Sequence, residues 1–133
     1  MEVKVKWGNL DPAGIVFYPN YFAWIDEATH HFFEDIGLPL IKMMREQKIA
    51  FGVVEANCQF ITPGKYYDIL NINTSLKEIK TKTITLAHEI TNNRQKVANG
   101  KEIRACIDIS TPGIMKAVII PEDICQFLTK HID

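Results

Sequence analysis

One long amphipathic segment, followed by several long segments of period two, sets the limits on what this chain can fold into. Tyr18, Phe22, Ile25, Thr29, Phe32 and Ile36 recur at spacings of three and four, which makes one continuous helical stripe. Asp26, Glu27, His30, His31, Glu34 and Asp35 fall on the other side. Pro19 suits the first helical position, Gly37 lies just past the end and Pro39 beyond it, so a helix is predicted from Pro19 to about Ile36. A short strand through Val3 and Val5 precedes it, and a helical turn over Leu40–Gln47 follows. From about Ala50 the period is two. Val54, Ala56, Cys58 and Phe60 share one face, and further strands are predicted over Tyr67–Ile79, Lys82–Thr91 and Val97–Ser110. Thr62-Pro63-Gly64-Lys65 and Asn92-Asn93 read as turns, and Asn99-Gly100 as a second turn or a bulge. Met115–Ile120 reads as a last strand segment, and Pro121-Glu122-Asp123 opens a C-terminal helix with acids in its first turn. One helix and several antiparallel strands give an α+β chain whose curved sheet wraps a central helix. Such a half-covered sheet leaves edges that pairing would hide.

At 133 residues the length suits one domain, residues 1–133, and no repeat or linker interrupts it. A hydrophobic share of 47% with 23% charged residues is ordinary for a soluble globular protein. A net charge of −1 argues against broad nucleic-acid binding, which needs a basic face. No apolar run reaches membrane-spanning length, and the first residues lack the apolar core of a signal peptide. Cys58, Cys106 and Cys125 are odd in number and widely spaced, which fits reduced thiols in the cytoplasm. No metal-ligand spacing, glycine-rich phosphate loop or Ser-His-Asp pattern is present, so no cofactor is called for.

The chemistry concentrates in Asp11-Pro12-Ala13-Gly14-Ile15-Val16-Phe17-Tyr18-Pro19-Asn20-Tyr21, a carboxylate on a loop that runs into the helix. Pro12 keeps Asp11 off the α region and Gly14 lets the loop turn. The first amides of a helix have no intrahelical partner and carry its positive end, where a carbonyl oxygen could be polarised beside an attacking carboxylate. By residue type alone, Asp-Pro-Ala-Gly is equally a simple turn.

This run, with Trp24-Ile25-Asp26-Glu27-Ala28 and Ile36-Gly37-Leu38-Pro39, closely resembles the 4-hydroxybenzoyl-CoA thioesterase family of hotdog-fold proteins. The resemblance continues through Tyr67-Asp68-Ile69-Leu70 and Ala117-Val118-Ile119-Ile120-Pro121, with Asn9 where the family often has an acid. It implies a hotdog fold, an acyl-CoA substrate, and a homo-oligomer, either a dimer with a continuous sheet or a tetramer of two dimers. It also implies that Asp11 is the catalytic carboxylate, either as nucleophile or as general base, and that the Tyr18 backbone amide polarises the thioester carbonyl. Asp26 matches an acid at the far end of the acyl pocket in the 4-hydroxybenzoyl-CoA enzyme; alternatively it is a solvated helix acid paired with His30. Lys77, Lys80 and Lys82 straddle a turn between two strands and Arg104 lies on a neighbouring strand, where the family holds CoA phosphates; the alternative is an exposed strand end made soluble by lysines. His88 reads as a packed histidine and Glu55 as a structural strand residue. The expected activity is hydrolysis of an aromatic acyl-CoA such as 4-hydroxybenzoyl-CoA. The alternatives are a broad short-chain acyl-CoA or acyl-carrier-protein thioesterase and, from another class, a non-catalytic acyl-CoA binding protein.

Overall fold

A computed structural model describes all residues, 1–133. Strand β1 (Glu2–Lys4) and a 3-10 turn (Trp7–Asn9) lead to helix α1 (Pro19–Asp35) and a short helix α2 (Leu40–Glu46). Strands β2 (Ile49–Phe60), β3 (Ile69–Ile79), β4 (Thr83–Asn92), β5 (Gln95–Asp108) and β6 (Lys116–Ala117) follow, then helix α3 (Glu122–Thr129). The sheet runs β1-β3-β4-β5-β2, antiparallel throughout, with β6 added to the end of β5. The architecture is the hotdog fold, a curled antiparallel sheet around one long helix.

Pro19 is the first residue of α1, as its fixed φ favours. The buried face of α1 is Tyr21, Trp24, Ile25, Ala28, Thr29 and Phe33, rotated from the predicted stripe so that Tyr18 is exposed and Phe22 and Phe32 are only partly covered. Apolar residues surround more than half of this helix, and spacing alone does not choose which part of that arc meets the sheet. The hairpin turn between β4 and β5 centres on Asn93 and Arg94, both at positive φ (46° and 68°), one residue later than predicted.

Two further corrections concern the strands. β2 carries a bulge between Val53 and Glu55, so Phe51 and Val53 share the inner face with Ala56, Cys58 and Phe60, while Val54 is the extra residue. Gly100 is neither a turn nor a bulge. It lies inside β5, opposite His88 and Cys58, and a Cβ there would sit 2.3 Å from Ile25 Cδ1. The missing side chain is what lets α1 lie close to the sheet.

Two apolar clusters fill the space between helix and sheet. One gathers Phe33, Met43, Phe51, Leu76, Leu86 and Leu128, and the other Val5, Val16, Tyr21, Trp24, Ile25 and Ile72. Between them runs a polar seam of Thr29, His88, Glu102 and Arg104, the buried polar and charged side chains of the protein. Thr29 Oγ1 donates to Glu102 Oε1, and His88 Nε2 faces the same oxygen at 3.2 Å. Thr74 Oγ1 lies 2.8 Å from His88 Nδ1. Arg104 Nη2 donates to Glu102 Oε2 at 2.8 Å, and Nη1 reaches the Phe51 carbonyl at 3.3 Å. Burial pushes the Glu102 carboxyl up, but hydrogen bonds from His88 and Thr29 and the Arg104 charge more than offset it, leaving Glu102 below its ordinary value.

Gly100→Ala should destabilise the fold by about 1–3 kcal/mol in urea unfolding, because the new methyl must displace Ile25 or the helix. Glu102 contributes its stability in full above the ordinary carboxylate pKa of about 4.3 and loses it as pH falls through the lowered folded value. Unfolding free energy should therefore fall as the solution is acidified below about pH 5, and Glu102→Gln should make that decline shallower.

Candidate active site

Asp11 lies in a tight loop tied to its surroundings by main-chain bonds. Its amide donates to the Ile15 carbonyl at 2.8 Å, and the Gly14 amide returns to the Asp11 carbonyl at 2.9 Å, with Gly14 at φ +79°. The Val16 amide bonds the Gly64 carbonyl at 2.9 Å, and the Phe17 amide bonds the Asn9 carbonyl at 2.8 Å. Asn9 holds three strands of this knot. Its carbonyl also accepts from Asn20 Nδ2, and its side chain accepts from the Lys6 amide. Gly64 is pressed against α1, since a Cβ there would lie 2.9 Å from the Tyr21 hydroxyl and from Val16 Cγ2.

The Asp11 carboxylate accepts the Ala13 amide on Oδ1 at 2.8 Å, with Ile15 N further off at 3.5 Å; Oδ2 makes no hydrogen bond within the chain. The loop is therefore an Asx-type turn that leaves one carboxylate oxygen available. The amides of Asn20 and Tyr21 bond back to Phe17 and Tyr18 carbonyls, and Pro19 has none to offer. The Tyr18 amide donates to no acceptor in the chain. Asp11, with one carboxylate oxygen unbonded, and Tyr18, with a free N–H at the helix start, both line one cavity of about 450 Å³, walled by Ile15, Val16, Tyr21, Phe60, Ile61 and Pro63. Asp11 is the one carboxylate in its lining. Burial raises the Tyr21 phenol, whose oxygen accepts the Gly64 amide at 3.2 Å. Burial likewise pushes the neighbouring Cys58 thiol up to about 11, which leaves it a poor nucleophile near neutral pH. A larger depression of about 720 Å³ beside Lys77, His131 and Asp133 is lined mostly by polar groups and holds neither Asp11 nor Asp26.

The remaining predicted residues lie elsewhere in the single chain. Asp26 is two turns along α1, about 12 Å from Tyr18, outside the Asp11 cavity. It does not pair with His30; its Oδ1 accepts from Arg104 Nη2 at 2.8 Å. Arg104 is only 3% exposed and spends its donors on Asp26, Glu102 and the Phe51 carbonyl, so its guanidinium is not on a surface where a CoA phosphate could meet it. Lys77, Lys80 and Lys82 stand exposed at the β3–β4 turn, with Lys77 paired to Asp133 and Lys80 within 3.8 Å of Glu78. Glu55 is exposed on β2, opposite Ile103. Sequence reading missed the Asp26–Arg104–Glu102 connection. Its only trace is the pair Glu102 and Arg104 two residues apart in a strand, a spacing that puts both on one face.

The chain's relatives are consistent in kind. A profile of the thioesterase-like superfamily matches residues 5–128. The 4-hydroxybenzoyl-CoA thioesterase of Pseudomonas sp. (strain CBS-3) is 30% identical over 133 residues, covering 95% of this chain and 94% of that one. The acyl-CoA thioesterase YbgC of Haemophilus influenzae is 24% identical, covering 92% and 88%. Among solved structures, a gentisyl-coenzyme A thioesterase superposes with a TM-score of 0.83 at 37% identity, covering 96% and 98%. A 4-hydroxybenzoyl-CoA thioesterase variant in complex with 4-hydroxybenzoyl-CoA superposes with a TM-score of 0.87 at 30% identity, covering 96% and 95%. This chain belongs to the thioesterase-like superfamily and is a hotdog-fold thioester hydrolase.

Proposed function

We propose that this protein, as one thioesterase domain over residues 1–133, hydrolyses an aromatic acyl-CoA, with 4-hydroxybenzoyl-CoA the favoured substrate. The observation that carries the reading is the pairing, on one apolar cavity, of the half-free Asp11 carboxylate with the unbonded Tyr18 amide. Asp11 attacks the thioester carbonyl or activates the water that does, and the Tyr18 N–H holds the oxyanion as it forms. A protein that merely held acyl-CoA would have no use for a carboxylate beside the thioester. The relatives' named substrates, 4-hydroxybenzoyl-CoA and gentisyl-CoA, are hydroxylated aromatic esters; in this reading Asp26 is the acid that meets the ring hydroxyl.

One chain does not bring the parts together. The Asp11 loop adjoins the start of β3 through the Ile15–Lys65 bridge, whereas Lys80 and Lys82 lie past its far end, roughly 35 Å away along the sheet. The outer edge of β2 is unpaired, twelve residues long, and carries exposed Val53, Val54 and Phe60. An edge of this kind invites pairing. The Phe60 end of β2 lies at the Asp11 cavity, and its Phe51 end is level with Cys106, whose amide bonds the Lys82 carbonyl. Antiparallel pairing of two β2 edges about a two-fold axis places the basic hairpin of one copy at the Asp11 end of the other. The functional unit in this reading is at least a dimer, built further into a tetramer or not, with CoA phosphates held by Lys80 and Lys82 and, to a lesser degree, Lys77. The three free cysteines suit the cytoplasm, and no helix is long and apolar enough to cross a membrane.

The test is hydrolysis of 4-hydroxybenzoyl, benzoyl, acetyl, butyryl and palmitoyl esters of CoA, followed by thiol release. The expected result is preference for the hydroxylated aromatic ester, with Asp11→Asn lowering turnover by at least about a hundredfold while ester binding persists. Alkyl preference would keep the thioesterase and discard the aromatic substrate. Near-normal turnover in Asp11→Asn would remove Asp11 from the chemistry.

A further inference from the structure

Arg104 is tied to two acids by one nitrogen. Nη2 donates to Asp26 Oδ1 and to Glu102 Oε2, each at 2.8 Å, while buried Nε has no partner. A guanidinium that served only to neutralise one carboxylate would face it with two parallel N–H groups. Here the fork is spread instead, with one arm on the helix acid, one on the strand acid and Nη1 on the Phe51 carbonyl. The strand side is immobile, since Glu102 is held by Thr29 and His88 as well. The helix side is not sealed. The Asp26 side chain is 54% exposed, and its Oδ2 makes no hydrogen bond within the chain. Opposite Arg104 on β2 stands Val53, itself exposed. A buried cation therefore reaches outward through a helix acid that presents one bound and one open oxygen at the rim between α1 and β2.

We propose that Arg104 is a positioning residue for substrate choice: it fixes Asp26 so that Oδ2 accepts a hydrogen bond from a hydroxyl on the acyl group. This rests on the reading of Asp26 as the pocket acid. The chemical consequence is selectivity by donor. A ring hydroxyl fills the open oxygen, whereas an unsubstituted ring or alkyl chain desolvates it without a partner, the kind of mismatch that binding sites reject strongly. A carboxylate free to swing would reach solvent instead and lose that discrimination. The role is distinct from phosphate binding, which the burial of Arg104 rules out.

The readout is the ratio of kcat/KM for 4-hydroxybenzoyl-CoA to that for benzoyl-CoA, which a general loss of stability would leave unchanged. Arg104→Met alone would strand the Glu102 charge, so it is combined with Glu102→Gln. Asp26→Asn should lower the ratio by at least about tenfold, and Arg104→Met/Glu102→Gln should lower it as far with Asp26 intact. Combining all three changes should add nothing, because the substitutions act through one group. Arg104→Lys keeps a buried charge but ends one bond short of the Nη2 position and lacks the planar fork that also reaches the Phe51 carbonyl, so it no longer holds Asp26 in place and should also lower the ratio. A fall in Asp26→Asn with wild-type ratios in both Arg104 variants overturns the positioning role and leaves the Asp26 reading standing. No fall in Asp26→Asn removes that reading and the proposal with it.

Discussion

The Arg104–Glu102 pair beneath α1 is the constraint from which the rest of the arrangement follows. Two opposite charges, each about 3% exposed, sit between two apolar clusters and satisfy one another through a 2.8 Å contact. Removing Arg104 would leave the Glu102 carboxylate buried without its charge partner, a loss on the order of 3–5 kcal/mol. Thr29 adds a bond from the helix to Glu102, so the seam also fixes how α1 lies along β4 and β5. Gly100 sets how close it lies, by leaving room for Ile25. A helix fixed in height and in position along the sheet carries its N-terminus to one place. There the Tyr18 amide and the Asp11 loop share a cavity, with the loop pinned in turn by Gly64 and the Asn9 carbonyl. The candidate site is thus held by main chain, and Asp11, its proposed catalytic side chain, comes from a loop between two rigid elements.

In the proposed two-copy arrangement, the same geometry explains why the apolar side of the candidate cavity is exposed in one chain. The apolar walls Phe60 and Ile61 stand at the end of a strand whose outer edge has no partner, and Phe17 and Tyr18 are exposed beside them. Such surface is costly to leave in water and suits a second copy better than a small ligand alone. The basic hairpin at the opposite end completes the logic, since a two-fold axis exchanges the ends of a pair of antiparallel edges.

Much of the frame was legible in the sequence because it rests on local rules. Pro19 starts α1, Gly37 follows its end, and period-two segments mark every long strand to within a few residues. The Asp11-to-Tyr21 run marked the loop, its free amide and its carboxylate together. Local rules failed where a residue's surroundings come from distant chain. Glu102 and Arg104 alternate in β5 with apolar Ile103 and Ile107, and the structure turns the charged pair inward because partners on α1 and β4, distant in the chain, satisfy it. The resemblance implies a CoA-phosphate role for Arg104, and nothing local in the sequence shows that Asp26 and Glu102 take up its Nη2 instead. Gly100 after Asn99 has the composition of a turn, and only the helix lying over it shows why it is glycine. The bulge at Val54 likewise comes from pairing with β5, and nothing in the residues of β2 announces it.

The most direct test of the proposed two-chain site is complementation by subunit mixing. Two variants, Asp11→Asn and Lys80→Glu/Lys82→Glu, are each assayed alone for thioester hydrolysis at low substrate, then unfolded, mixed in equal amounts and refolded together. Random pairing yields one intact site in each mixed dimer, so about a quarter of wild-type activity should return. If the mixture stays as inactive as its components, Asp11 and the basic hairpin do not meet across two copies, and the two-chain site is wrong.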